Sequence, residues 1–312
     1  MTVGDPRGIG PEIVAKALAD SRVGERCDVV VIGPAESGVQ VGESVGHWVA
    51  KGGAALAGEL SGLAIERAVQ MAIAGEVDGI VTAPIDKAAL HVGGHDYPGH
   101  TEMLAHLTRS HVAMMLTSEK LRVVLATTHI PLREVSQKLS SGSITETARI
   151  TRDGLREWFD IPEPRIALCA LNPHAGDSGR FGNEDSDILA PAARAAGIDG
   201  PFPADTVFVR AMRGEFDAVI APYHDVGMTA IKVASFGSAV NITLGLPFPR
   251  TSPDHGTALD IAGQNRADPS SMIAATLLCA SIVARVRPRA GRLPNADRQP
   301  DSRSAAHPSR AR

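Results

Sequence analysis

Three histidines of this 312-residue chain each follow an apolar, β-branched segment that predicts a buried β-strand. They are His129 after residues 121–127, His174 after residues 165–171, and His224 after residues 217–221. Ligands of open α/β sheets bind beyond the carboxyl ends of the strands, where these side chains would meet. A single histidine after a strand is usually structural. Three in matching positions favour a catalytic metal site, which takes three protein ligands and leaves one position open.

A second group of residues has the chemistry expected for an anionic ligand. Arg250 lies in an apolar, proline-stiffened segment at residues 246–251, where a solvated surface poorly explains a cation. Asn241 ends an apolar step, and Lys232 follows the third histidine along the chain. Arginine and lysine are the usual partners of phosphate and carboxylate groups, so this set indicates an anion site. For Lys232, a surface position on a helix is the alternative interpretation.

Two further segments have local patterns that bear on whether they bind a ligand. At residues 98–102 (PGHTE), Thr101 has the type of a structural helix cap. The functional interpretation is that His100 and Thr101 point from a helix start toward an anion, where backbone N–H groups also help. The glycine-rich segment at residues 4–12 does not have the GxGxxG spacing. It also lacks an intact preceding strand, so the usual dinucleotide-binding fingerprint is absent.

The elements that must position these residues alternate between strand and helix. Strands are predicted at residues 27–33, 78–82, 112–117, 121–127, 165–171, 217–221 and 239–243, and helices at residues 60–74, 143–159, 184–196 and 270–285. The short turn between the strands at 112–117 and 121–127 predicts a hairpin. Gly197 is expected to end its helix in the left-handed conformation. Strands separated by helices predict an α/β fold with a mostly parallel sheet and a second lobe.

The bulk composition excludes several classes of function. A net charge of -4 and an aromatic content of 4% argue against nucleic-acid binding, which needs a basic face or stacking platforms. No run of about 18 apolar residues predicts a membrane span, and residues 1–11 lack the pattern of a signal peptide. Three isolated cysteines in apolar runs fit a reducing, cytoplasmic location. Residues 287–312 predict a disordered Arg- and Pro-rich tail, with binding to an acidic partner as the alternative.

Eight stretches resemble the 4-hydroxythreonine-4-phosphate dehydrogenase family of pyridoxal phosphate biosynthesis, which includes relatives acting on 4-phospho-threonate and 4-phospho-erythronate. They are MTVGDPRGIGPEI (1–13), TAPIDKAAL (82–90), PGHTEML (98–104), ATTHIPLREV (126–135), LNPHAG (171–176), GPFPADTVF (200–208), YHDVGM (223–228) and NITLGLPFPRTSPDHGTALDIAG (241–263). Residues 4–12 and 255–263 also resemble isocitrate and isopropylmalate dehydrogenases. The resemblance implies their two-lobed α/β fold, as one catalytic unit over residues 1–286 with lobes interleaved in sequence.

The resemblance also implies a role for each matching residue. The metal ligands fall on His129, His174 and His224, and the substrate contacts on His100, Thr101, Lys232, Asn241 and Arg250. Lys232 would stabilise developing charge or relay a proton, and Asp205 and Asp225 match acidic positions near the metal. The segment at 255–263 is similar to a loop that holds the adenosine of NAD. The cofactor contacts are therefore assigned to Gly8, Gly10, His255, Gly256, Thr257 and Asp260.

The activity implied is NAD- or NADP-linked oxidation of 4-hydroxythreonine 4-phosphate at its C3 hydroxyl. Loss of CO2 then gives 3-amino-2-oxopropyl phosphate. One divalent ion per subunit is implied (zinc, cobalt, manganese or magnesium), as is a homodimer with a shared active site. The first alternative is a 4-phospho-D-threonate or 4-phospho-D-erythronate dehydrogenase that yields dihydroxyacetone phosphate.

Two other interpretations are disfavoured. A dihydrodiol dicarboxylate dehydrogenase, also a relative, is disfavoured by the intact PGHTE segment together with Lys232 and Arg250. An inactive relative that serves as a binding or scaffold protein has no need of complete ligand and substrate sets.

Overall fold

The secondary structure is α/β in the computed structural model, which describes residues 1–235 and 238–286. Its strands are β1 (Ile32–Ala35), β2 (Glu43–His47), β3 (Ile80–Val81), β4 (Ala113–Thr117), β5 (Arg122–Leu125), β6 (Ile166–Cys169), β7 (Asp199–Phe202), β8 (Ala218–Ala221), β9 (Val240–Leu244) and β10 (Arg250–Pro253). Strands β1 and β2 form a small parallel sheet. The others form a sheet of order β3-β10-β9-β4-β5-β8-β6-β7.

Four of the seven neighbouring pairs in the large sheet are parallel. The predicted α/β fold with a mostly parallel sheet is therefore confirmed. The interleaving of two lobes over residues 1–286 stays a prediction. The predicted tail at residues 287–312 lies outside the described residues.

Helices connect most of the strands. They are α1 (Gly10–Leu18), α2 (Ser21–Gly24), α3 (Gly53–Ile73), α4 (Lys87–Val92), α5 (His100–Thr108), α6 (Val135–Lys138), α7 (Ser141–Phe159), α8 (Ala190–Ala196), α9 (Ala204–Met212), α10 (His224–Ser235) and α11 (Ser270–Val286). Ser140 caps α7 through a reciprocal pair of hydrogen bonds with Ser143. Gly197 ends α8 with a φ of 62°, as predicted. Within the described residues, no helix is long and apolar enough to cross a membrane.

The predicted hairpin is confirmed, because β4 and β5 pair antiparallel across a short turn. The strand predicted at residues 27–33 is wrong over residues 27–31, since strand β1 begins only at Ile32. Strand β1 is bordered by the short segment of residues 1–3. In this segment, Thr2 makes single parallel bridges to Ile32 and to Thr82. One bridge does not extend a ladder, so residues 27–31 are not assigned as strand.

Apolar side chains pack on both faces of the large sheet. Successive residues of β4 point to opposite faces, so Met115 joins one cluster with residues of α7 and α11, whereas Met114 joins another with residues of α9 and α10. This sandwich buries the middle of the sheet and leaves the carboxyl ends of its parallel strands open. Strands β5, β8 and β6 are parallel neighbours, so residues that follow them come together at one edge.

Candidate active site

A cleft of about 360 Å³ lies at this edge of the sheet. Its walls come from the segment after β3, the start of α5, strands β4, β9 and β10, and the loops after β5 and β8. Eight of the predicted site residues line it, namely His100, Thr101, His129, His224, Asn241, Arg250, His255 and Gly256. The fold thus brings most of the predicted substrate residues, two predicted metal ligands and two predicted cofactor residues into one cavity.

His129 and His224 face each other across the cleft. Their ring centroids are 5.4 Å apart, because His129 follows β5 and His224 follows the neighbouring parallel strand β8. The Nδ1 atom of His224 lies 2.8 Å from a carboxylate oxygen of Asp225, which orients the imidazole. Burial and the nearby Lys87 lower the pKa of His129, so its ring stays neutral, as a metal ligand requires.

His174 is outside this group. It follows β6, on the other side of β8, in a short helical turn at Pro173–Gly176 where its own φ is 53°. Its ring packs 6.5 Å from that of Phe181, and it does not line the cleft. Over residues 1–235 and 238–286, no three His, Cys, Asp or Glu side chains come together in a potential metal site. The role of the three histidines as a metal triad therefore stays a prediction.

Arg250 is the most deeply buried charge of the cleft, with 1% of its surface exposed. Its guanidinium donates to the hydroxyls of Thr243 (3.0 Å) and Thr82 (2.5 Å), and its Nε has no partner among the described residues. No carboxylate of the described residues lies within 4.0 Å of the guanidinium group. Burial lowers the pKa of Arg250 to about 10, so the side chain remains a cation at neutral pH.

Other polar atoms at the cleft are also buried without a partner in the part of the chain that the structure describes. They are Nε2 of His100, Oδ1 of Asn241 and Nε2 of His255. Burial, together with the nearby Arg250 and Lys87, lowers the pKa of His100 well below its ordinary value, so its ring is neutral. Buried polar groups in proteins are normally paired, and each exception calls for an explanation. Convergence of four such atoms on one cavity, with a buried cation, indicates a site for a polar, anionic ligand.

The predicted proton-transfer residues lie at the margin of the cleft or beyond it. Lys232 does not line it, and its Nζ donates to the backbone oxygen of Asp254 at 3.4 Å. The carboxylate of Asp254 is 3.9 Å from the same Nζ and is nearly buried. Asp205 and Asp225 instead border an apolar groove between α9 and α10. Their predicted roles near a metal stay predictions.

The two glycine-rich segments predicted to hold the cofactor pack against each other. The backbone N–H of Ile9 donates to the carbonyl of Thr257 at 2.9 Å. A Cβ at Gly8 would lie 2.7 Å from that same oxygen, so only glycine allows this approach. Gly8 also lines a second cleft of about 500 Å³, whereas Gly10 packs against Val3. The predicted cofactor residue Asp260 is exposed to solvent.

Sequence reasoning missed three charged residues that line the main cleft, which are Lys87, Glu102 and Asp254. Lys87 is the first residue of α4, and its predecessor Asp86 caps that helix by accepting from two backbone N–H groups. An aspartate before a helical pattern, followed by lysine, is a signal that could have found this position. The predicted elements did not include α4 or β10, so the cleft walls they form were not foreseen.

Comparison with known proteins places this geometry in a family. Residues 18–279 match the family model described as pyridoxal phosphate biosynthetic protein PdxA. The chain is 49% identical over 218 residues to a 4-hydroxythreonine-4-phosphate dehydrogenase of Stenotrophomonas maltophilia, covering 68% of this chain and 67% of the relative. It is 42% identical to a D-threonate 4-phosphate dehydrogenase of Cupriavidus necator, and the match covers 88% of this chain and 94% of the relative.

A solved structure agrees with these sequence relatives. The crystal structure of 4-hydroxythreonine-4-phosphate dehydrogenase from Klebsiella pneumoniae superposes with a TM-score of 0.80 at 40% identity, covering 90% of this chain and 98% of that one. The family model and the full-length relatives span the strands, helices and loops that form the cleft. The chain therefore belongs to the PdxA family of pyridoxal phosphate biosynthetic proteins.

Proposed function

We propose that this protein oxidises 4-hydroxythreonine 4-phosphate at its C3 hydroxyl, with NAD or NADP as the hydride acceptor and loss of CO2 from the product. The observation that carries the proposal is the buried Arg250, which lines one cleft with His129 and His224 and whose Nε has no partner among the described residues. A buried cation without a carboxylate partner is costly unless a ligand supplies the anion. Relatives named for this activity support the assignment.

The cleft residues have separate tasks in binding. Arg250 pairs with an anionic group of the substrate, and Asn241 and His100 supply the buried Oδ1 and Nε2 atoms that need polar partners. Thr101 stands at the start of α5, where backbone N–H groups point toward a bound anion. These contacts hold the substrate with its C3 hydroxyl toward the two histidines, which lie in the same cleft.

The donor set fits a divalent metal ion in part. His129 and His224 are neutral or carboxylate-oriented imidazoles 5.4 Å apart, suited to hold a zinc, cobalt, manganese or magnesium ion. His174 would complete the set of three. A bound divalent ion lowers the pKa of a coordinated hydroxyl and stabilises an enolate oxygen. Lys232, whose Nζ contacts Asp254 at the cleft margin, would donate or accept a proton in the reaction.

A homodimer with a shared active site would explain the separate position of His174. The groove between α9 and α10 has a volume of about 860 Å³ and carries the exposed apolar residues Val209, Met212 and Val233. Exposed apolar surface of this kind is typical of protein interfaces. The groove also includes Asp225, which contacts His224, so a second copy seated there would lie beside the metal-binding pair.

A second candidate is oxidation of 4-phospho-D-threonate to dihydroxyacetone phosphate and CO2. It is favoured by the Cupriavidus necator relative, whose 42% identity over nearly the whole chain matches that of the 4-hydroxythreonine-4-phosphate dehydrogenases of comparable coverage. The two substrates share the phosphate, the C3 hydroxyl and the carboxylate, and differ at C2. The contacts that hold the shared groups therefore serve either substrate.

The test is reduction of NAD and NADP by each phosphorylated acid and by its dephosphorylated counterpart, with divalent ions added back after chelation. Turnover of one phosphorylated acid alone is expected, and equal turnover of its dephosphorylated form would contradict the anion site. Whether two subunits share the active site is tested by mixing the His129→Ala variant with the His174→Ala variant. Restored activity in the mixture is expected, whereas verified heterodimers without activity would rule out a shared site.

A further inference from the structure

We propose that Lys87 is a second cation for the substrate phosphate, which it binds together with Arg250 in the cleft beside His100. This inference rests on the proposed function, because it names a further residue of that site. A phosphate monoester carries a charge of about -1.5 to -2 at neutral pH. The single charge of Arg250 balances only part of it, and a second cation is therefore expected nearby.

The side chain of Lys87 lies beside the start of α5. This lysine is the first residue of α4 and lines the cleft with His100 and Thr101, the first residues of α5. A Cβ at Gly99, the residue before α5, would lie 3.4 Å from Cε and 3.9 Å from Nζ of Lys87. The ammonium group is thus beside the backbone N–H groups of the first turn of α5.

The ammonium group of Lys87 is available for a ligand. The neighbouring carboxylate of Asp86 accepts from the backbone of Ala88 and Ala89 and pairs with Arg7 at 3.0 Å. The ammonium group of Lys87 makes no hydrogen bond or ion pair with any residue that the structure describes. Glu102 is the acidic side chain on the same wall of the cleft, but its carboxylate lies beyond ion-pair distance from Lys87.

Unpartnered buried atoms beside the two cations support an anion site. Arg250 is 1% exposed and has an unpartnered Nε, and the buried Nε2 of His100 also has no partner among the described residues. Lys87, His100 and Arg250 line the same cleft, and both cations act electrostatically on the His100 ring. A phosphate seated at His100 and Thr101 would therefore have two cations nearby. Each charge-assisted contact would strengthen its binding.

Calorimetric titration with inorganic phosphate, in a buffer without other multivalent anions, tests this assignment on the full chain. Lys87→Met is expected to weaken phosphate binding about tenfold, the effect of removing one hydrogen bond to a charged group. Lys87→Arg should retain most of the affinity, because it keeps the positive charge. Lys51→Met is the matched control, since Lys51 is an exposed lysine before α3 that lines neither this cleft nor the groove of α9 and α10, and its phosphate binding should equal that of the wild type.

Circular dichroism and thermal unfolding of each variant show that the fold is intact, as expected for an exposed side chain without protein partners. Wild-type affinity in Lys87→Met, or an equal loss in Lys51→Met, would overturn the proposal, as would an absence of saturable phosphate binding by the wild type. The titration involves no cofactor and no turnover. If phosphate binding depends on Lys87 but the dehydrogenase assay shows no turnover, the proposed activity is rejected and the phosphate site at Lys87 is still supported.

Discussion

Replacement of Arg250 by methionine separates a ligand-binding cation from a structural one. The side chain is almost fully buried, and its protein partners are the hydroxyls of Thr243 and Thr82, with no carboxylate within 4.0 Å in the described part of the chain. Methionine has a similar length and apolar character, so it fills the space without a charge. The variant removes the proposed anion contact and at the same time relieves the cost of a buried unpaired charge.

The lost hydrogen bonds and the relieved burial of charge change stability in opposite directions. The two lost bonds have a charged donor and contribute about 1.5–3 kcal/mol each, whereas burial of an unpaired ion costs several kcal/mol. Arg250→Met should therefore be about as stable as the wild type. A hydrogen-bonded charge pair in a desolvated site contributes about 2–5 kcal/mol to binding, so the affinity for the phosphorylated acid should fall roughly 10²-fold or more.

Denaturant unfolding and ligand titration on the same preparations measure both quantities. Arg149→Met is the control, because Arg149 pairs with Glu146 and Asp153 on the exposed face of α7 and should leave both binding and stability nearly unchanged. A loss of about 2 kcal/mol or more in the unfolding free energy of Arg250→Met, with unchanged ligand affinity, would show that Arg250 is a structural cation. That result would remove the observation on which the proposed function depends.

Two further predictions concern the fold around the site. Burial raises the pKa of Asp217, but hydrogen bonds from the backbone (2.8 Å) and guanidinium of Arg165 outweigh burial and lower it. This stabilisation is complete above the ordinary carboxyl pKa and is lost as the pH falls through the lowered one, so Asp217→Asn should reduce the loss of stability between neutral and acid pH. Denaturant unfolding of the wild type and of Asp217→Asn at neutral and at acid pH measures this loss of stability. The same loss in both proteins would contradict the stabilising role of Asp217. A Cβ at Gly8 would overlap Thr257, so Gly8→Ala should cost about 1–3 kcal/mol and weaken cofactor binding, whereas Gly24→Ala, with no atom within 4 Å, should be neutral. Equal stability and equal NAD affinity of the two variants would refute this.

The elements found from the sequence are those whose signal is local. Helix α7 and the hairpin of β4 and β5 follow from apolar periodicity, a serine cap and a short polar turn, all readable within a few residues. Strand β10 was not predicted, although it carries Arg250. Its few residues are buried because α11 and two neighbouring strands cover them, and no local pattern records that packing.

The residue types of the candidate site were determined by the sequence itself, which also carries the family motifs that link histidines to a metal and Arg250 to an anion. Only the tertiary structure decided which of these residues share a cavity. His129 and His224 meet because β5 and β8 are parallel neighbours, whereas His174 turns away after β6 in a left-handed segment. Lys87 joins the cleft because α4 begins beside Gly99, the residue before α5. Such distances depend on strand order and helix packing, which arise from contacts far apart in the chain.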